Sequence, residues 1–232
     1  MQLESVLTFS RVLVRTLLDS SRTDDLLTGE ELTSVGRMPA LVATLAASDE
    51  GRALLRERPR LDTRTVDFAA LRALPDGTLG RAYTQHLERC RLDPDALTTP
   101  VTRGASPLAN YLLERVRQTH DLWHTLLGLG VQGHEEVLVH AFQWPQLRMP
   151  YSALVVLFGT AKHIVGEGRT AVLRHALGEA LRAGRRAAPL LPVYWERHWE
   201  APLEQLRTRL GVVPATRWRG LAAPVHDPGG PG

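Results

Sequence analysis

The chain has 232 residues, enough for one full domain with a real core or for two small ones, and 44% of them are hydrophobic, which excludes an intrinsically disordered protein. The net charge of +3 is too mild to argue for nucleic acid as a partner. Cys90 is the only cysteine, so a disulfide framework and a cysteine-rich zinc or iron–sulfur site are both excluded.

The elements are taken in chain order. Segment 2–19 carries a broad helical stripe that includes Phe9, Val12, Leu13 and Leu17. Segment 36–57 reads as two short helices, with Ser48 as N-cap of the second, Asp49 and Glu50 in its first turn and Pro59 as its stop. A short helix over 67–73 ends at the turn Leu74-Pro75-Asp76-Gly77, another helix spans 78–89, and 91–105 reads as loop. The longest periodic helix covers 106–127. A second begins near Glu136 and runs over 134–144, punctuated by Pro145 and Pro150. Segment 151–165 is apolar on nearly all sides, so it is expected to be a central core helix or one wall of an apolar pocket. A helix over 169–184 is closed by Gly184, and its Arg182, Arg185 and Arg186 read as a solvated helix end rather than a phosphate or membrane patch. An amphipathic helix is expected over 193–210, stopped by Gly211 and Pro214. With no strand-type alternation beyond a few residues, the expectation is an all-α, single multi-helix domain over 1–221 with a disordered tail over 222–232. No apolar run reaches the ~20 residues of a membrane span, and the N-terminus lacks signal-peptide features, so an intracellular place is expected.

The chemistry concentrates in His120-Asp121-Leu122-Trp123-His124, followed by Glu136 after eleven residues. Two imidazoles four apart lie on one helix face, Asp121 borders that face, and Gly128, Gly130 and Gly133 allow the chain to turn so that Glu136 reaches back. His120, Asp121, His124 and Glu136 are therefore candidate ligands of a divalent metal: zinc first, with iron or magnesium as alternatives. The run lacks the glutamate between the two histidines that metalloprotease chemistry needs, and a phosphohydrolase would need a further His and Asp that cannot be placed. A histidine pair that merely decorates a helix is the plain alternative. Asp121 and Glu136 on an otherwise apolar helix weigh against it. His134 and His140 are expected at the surface or behind the ligands, and Trp123 in the core.

These residues also carry a likeness. His120-Asp121-x-x-His124 with Glu136 resembles the signature of the ubiquinone (coenzyme Q) biosynthesis protein Coq-four family, and the chain is identified as a bacterial member of it. Further blocks follow in order: Glu50-Gly51-Arg52 to Arg60, Leu74-Pro75-Asp76-Gly77-Thr78-Leu79-Gly80-Arg81-x-Tyr83, Asp93-Pro94-Asp95, Tyr111 and Arg115. Downstream come Gln146 with Met149-Pro150, and Tyr194-x-Glu196-Arg197-x-Trp199-Glu200 with Leu206, Arg207, Leu210 and Gly211. Three positions depart from the family pattern. Glu135 stands where the family has Gly and adds a carboxylate that could compete as a ligand. His140 and Gln143 replace a Lys/Glu pair, and Arg148 replaces a Gly.

The resemblance implies an all-helical protein with a divalent metal near the polar head of a polyprenyl quinone precursor lipid, held in an apolar groove between helices. Ala153, Gly159 and Ala161 would leave room for the chain. It implies C1 decarboxylation with hydroxylation of a prenylated 4-hydroxybenzoate, or else a non-catalytic scaffold that binds prenyl lipid and organises other quinone biosynthesis enzymes. It further implies a cytoplasmic protein, peripheral at the inner face of the cell membrane. Segment 2–19 is the best anchor, although core packing of its apolar face is preferred. A homodimer through an apolar helix face is also expected.

Overall fold

Four of the helices start where a short polar side chain caps them. Ser48, Asp67, Thr78 and Ser106 accept hydrogen bonds from the backbone N–H of Gly51, Ala70, Arg81 and Ala109, each contact worth about 1 kcal/mol. The structure is a computed structural model that describes residues 29–31, 33–96, 98, 101, 106–167 and 170–218, the side chains of 162–172 and 174 excepted. The expected anchor segment 2–19 and the tail 222–232 lie outside the described residues. The helices are α1 (Met38–Ala46), α2 (Asp49–Glu57), α3 (Phe68–Ala73), α4 (Leu79–Cys90), α5 (Pro107–Leu127), α6 (Gly133–Leu147), α7 (Pro150–Glu167), α8 (Thr170–Arg186) and α9 (Leu203–Leu210). Among the described residues there is no strand, only an isolated bridge between Thr78 and Pro202. The described residues thus form a single all-helical domain, as the sequence predicts.

α5 is the axis of this domain. Every side chain from Tyr111 to Thr119 and from Leu122 to Leu127 is buried, including Glu114, Arg115, Arg117 and Gln118. Each of these polar groups has a partner: Arg60 for Glu114, Glu196 for Arg115, Glu30 and Glu31 for Arg117, and the Leu61 N–H for Gln118. α5 ends at Gly128, whose φ of +67° is the left-handed conformation that closes a helix. α6 packs chiefly on α8 and α7.

Five sequence expectations are corrected. The helix expected over 134–144 begins at Gly133 and runs through Pro145 to Leu147. Pro145 removes the one N–H that would bond the Ala141 carbonyl, and the helix runs only two residues beyond it. Gly184 does not close α8. It lies inside the helix, where a Cβ would stand 2.1 Å from the Phe142 carbonyl oxygen, so α6 and α8 touch backbone to backbone. α7 is not a central core helix: over 151–161 only Ser152 is fully buried, and Leu157 is 61% exposed. Nor does Gly159 leave room for a chain, since a Cβ there would stand 2.3 Å from Val137 Cγ2 and the glycine instead brings α7 onto α6. Finally, 193–210 is not one helix. A single 3-10 turn, Trp195–Arg197, precedes α9, and Pro202 supplies the N-cap of α9.

What replaces that helix is a clamp. The Tyr194 N–H donates to Glu50 Oε2 and its hydroxyl to Glu57 Oε2, both at 2.7 Å. Arg197 pairs with Glu57 and His198 with Glu50. Trp199 stacks on Tyr83 with the rings nearly parallel and 5.9 Å apart. Glu196 grips Arg115 with two hydrogen bonds of 2.6 and 2.8 Å. The sequence blocks around Glu50, Tyr83, Arg115 and Tyr194 are therefore one assembly in space, and that assembly fixes α5. No described helix is long and apolar enough to cross a membrane.

Candidate metal site

One turn beyond the clamp, α5 presents His120 and His124 to Glu136, which stands in the first turn of α6. The loop 128–132 folds α6 back along α5, and α6 then faces α5 with Glu136, His140 and Gln143, residues at i, i+4 and i+7 of one stripe. The two Nε2 atoms are 3.1 Å apart, His120 Nε2 is 3.3 Å from Glu136 Oε2, and His124 Nε2 is 3.5 Å from Glu136 Oε1. These three residues offer ligand atoms that all lie within 4.8 Å of one another. Ligands on a tetrahedral zinc with Zn–N of about 2.0–2.1 Å stand roughly 3.3 Å apart, so the spacing fits one shared ion.

The outward nitrogens settle which way the lone pairs point. His124 Nδ1 is 2.8 Å from the Gly130 carbonyl, which can only accept, so Nδ1 carries the proton. His120 Nδ1 is 3.3 Å from Gln143 Oε1. With His124 Nδ1 protonated against Gly130 and His120 Nδ1 placed to donate to Gln143, each ring in its neutral form would aim Nε2 at the shared site, the arrangement metal-binding histidines need. Two lone pairs and a carboxylate at such range attract a cation. Burial works against charge on His120, but the hydrogen bond and charge of Glu136 outweigh it and push its pKa up to about 9. Burial likewise opposes charge on Glu136, and the hydrogen bonds from His120 and His124 hold its carboxyl well below the usual range.

Of the four candidate ligands, the structure brings His120, His124 and Glu136 together. Asp121 is half-buried on α5 and is not among the residues whose donor atoms converge. Burial pushes its carboxyl up, against the pull of His120 and His124. Glu135 is no competing ligand: its carboxylate accepts the Gly130 N–H at 2.7 Å and the Gln132 N–H at 3.0 Å. Trp123 is core, set edge-on to Phe142. His140 is buried behind His120, the two ring centroids 5.2 Å apart, and His134 is buried rather than at the surface.

Sequence reasoning missed His86. It is 1% exposed and its ring stacks on His124 at 5.6 Å. Its one signal was its place beside Leu79, Tyr83 and Leu87 on the buried stripe of α4. Imidazoles thus line up as His86, His124, His120 and His140, ending on Tyr151, whose ring is 5.5 Å from His140. Burial pushes His86 and His140 each down to about 3, so the outer two are neutral spacers.

A family model described as the coenzyme Q (ubiquinone) biosynthesis protein Coq4 matches residues 1–216. Among curated proteins, the chain is 36% identical over 200 residues to a mitochondrial ubiquinone biosynthesis protein COQ4 homolog of Drosophila ananassae, covering 86% of this chain and 74% of the relative. It is 40% identical over 182 residues to COQ4 homolog 1 of Culex quinquefasciatus, with 78% and 65% covered, and 36% identical over 176 residues to COQ4 of Coprinopsis cinerea, with 75% and 60% covered. Over the latter two relatives the match spans less than two thirds of their length. A crystal structure of a Nostoc punctiforme protein assigned provisionally to ubiquinone biosynthesis superposes with a TM-score of 0.71 at 22% identity, over 89% of this chain and 96% of that one, a likeness of fold.

Proposed function

This chain belongs to the coenzyme Q (ubiquinone) biosynthesis protein Coq4 family, and from that premise we propose that it removes the C1 carboxyl of a prenylated 4-hydroxybenzoate-type precursor with hydroxylation at the same carbon. The observation that carries this reading is the convergence of His120, His124 and Glu136 with both outward imidazole nitrogens tied down. The donor set, two imidazoles and a carboxylate, suits zinc or iron. A bound divalent ion would act as a Lewis acid toward the carboxylate or phenolate oxygen of the head group. The protein side of the chemistry is placement. α5 and α6 hold the three donors rigidly, and neutral His140 and half-buried Tyr151 form one wall beside them. Replacing a carboxyl by a hydroxyl needs an oxidant. Dioxygen supplies the incoming oxygen atom, CO2 leaves, and two reducing equivalents from a partner enzyme carry the second oxygen atom away as water.

The prenyl tail of that precursor is assigned to the outer face of α7, which carries Tyr151 in its first turn beside the site and bears the exposed Leu157. That same face favours a second reading, a protein that presents the lipid to other quinone biosynthesis enzymes at a membrane surface without acting on it. The deciding experiment pairs metal analysis of chain purified without chelator with CO2 release from a prenylated 4-hydroxybenzoate. Stoichiometric metal and turnover, both lost in His124→Ala, support the enzyme. Metal without turnover supports presentation, and no metal removes the ligand assignment.

A further inference from the structure

We propose that Glu135 is a positioning residue for His124, acting through Gly130, and that it sets how tightly the site holds a divalent metal; this rests on the metal reading above. The carboxylate does two things at once. As the third residue of α6 it reaches back to the Gln132 N–H, the glutamate half of a capping box. Its other oxygen takes the Gly130 N–H at 2.7 Å. Those two N–H groups belong to the peptides on either side of the one that links Gly130 to Val131. The middle peptide carries the Gly130 carbonyl, which accepts the His124 Nδ1 proton at 2.8 Å. One carboxylate therefore brackets the single peptide whose oxygen orients the ligand ring.

The bracket is tight. A Cβ on Gly130 would stand 2.6 Å from Glu135 Oε2, so only glycine lets the carboxylate close on that backbone. Among the described residues no other group is hydrogen-bonded to His124 Nδ1. Its ring is fully buried, its inner nitrogen faces His120 and Glu136, and its flat face lies on the neutral ring of His86. Through Gly130, the loop 128–132 therefore holds the outer nitrogen of the ring. Groups behind metal-bound histidines fix tautomer and ring angle, and losing one weakens metal binding by about 10–100-fold.

The test is the Zn2+ dissociation constant of metal-stripped chain, read by competition with a chromogenic chelator, beside the thermal midpoint of the metal-free protein. Glu135→Ala and Gly130→Ala should each weaken Zn2+ by about 10–100-fold while the stoichiometry stays the same. The double variant should be no worse than Glu135→Ala, because both act through one contact. Glu135→Gln, with one acceptor oxygen in place of two, should recover part of the loss. Ser106→Ala, which uncaps the far end of α5, should lower the midpoint and leave Zn2+ affinity unchanged. A lower midpoint with unaltered Zn2+ affinity in Glu135→Ala would reduce the carboxylate to a helix cap and overturn the proposal. Nitrogen-15 NMR of the metal-free imidazoles separates this from failure of the metal reading. If the wild type takes no Zn2+, a His124 Nδ1 proton held in the wild type and released in Glu135→Ala still supports the bracket, and an unchanged spectrum sinks it.

Discussion

Charge enters this core at two neighbouring stretches of α5, and the two are closed in opposite ways. At Arg115 the guanidinium is fully buried and its charge is answered within the chain by Glu196, through two short hydrogen bonds from the C-terminal block. Five residues on, at His120 and His124, the outward nitrogens meet Gln143 and Gly130, and the inward ones share a single carboxylate, that of Glu136. The first arrangement is complete as it stands and makes structure. The second gathers three donor atoms at a spacing that could hold one cation.

The sharpest break in that comparison is His124→Ala. Removing one of three converging donors should abolish stoichiometric Zn2+ binding, a loss of more than about 1,000-fold in affinity set by the donor count of the site. Chelator should then lower the unfolding midpoint of metal-loaded wild type, since a ligand at a hundred times its dissociation constant adds about 2.7 kcal/mol, and should leave the variant unmoved. A chelator response that survives in His124→Ala would place the metal elsewhere. At the other stretch, Glu196→Ala should cost about 3–5 kcal/mol in urea unfolding, because it strands a buried charge. The paired change Arg115→Met with Glu196→Leu should recover most of that cost. Zn2+ affinity measured on the folded fraction of either should match wild type; if it does not, the two stretches are coupled and the contrast fails.

Proton competition gives the next effect. His120 must be neutral to ligate, and Glu136 raises its pKa to about 9 in the metal-free site. Below that value a proton has to leave as the metal enters, so apparent Zn2+ affinity should rise with pH, by up to about tenfold per unit, and flatten near pH 9. Affinity that does not change between pH 6 and 8 would show that the imidazole is already neutral and that the pull of Glu136 is weaker than the geometry implies.

Much of this was legible in the sequence, and the parts that were not share a cause. Ser48, Thr78 and Ser106 announce their helices because a cap is a local contact, three residues long. The His120–His124 pair was readable because a helix fixes what stands one turn away, and Glu136 because the glycines implied the return. His86, Gln143 and the bracket by Glu135 needed the packing of α4 on α5 and the path of the loop 128–132, which no periodicity encodes. The same holds for 193–210. Its amphipathic pattern suggested one helix, yet Tyr194 reaches α2 and Glu196 reaches α5 while Trp195 is fully buried between them in sequence, a set of directions that a straight helix could not serve together. Gly159 and Gly184 looked like spare room and a stop. They are where helices touch, and only the neighbouring chain shows which.

Asp121 supplies the smallest and most discriminating effect. It sits beside the two imidazoles in sequence, and its charge is felt by both, yet the donor atoms that converge come from His120, His124 and Glu136. A residue that acts through charge alone and a residue that ligates respond differently to Asp121→Asn, which keeps the shape and removes the charge. Through charge at a half-buried position, the loss in Zn2+ affinity should be about tenfold or less, and it should shrink as salt rises, because screened Coulomb attraction is all that is lost. A direct ligand would give a loss approaching that of His124→Ala and insensitive to salt, because a coordinate bond at contact distance is not screened. The spacing of the three converging donors favours the first outcome, because Asp121 lies outside the set of atoms that could share one ion.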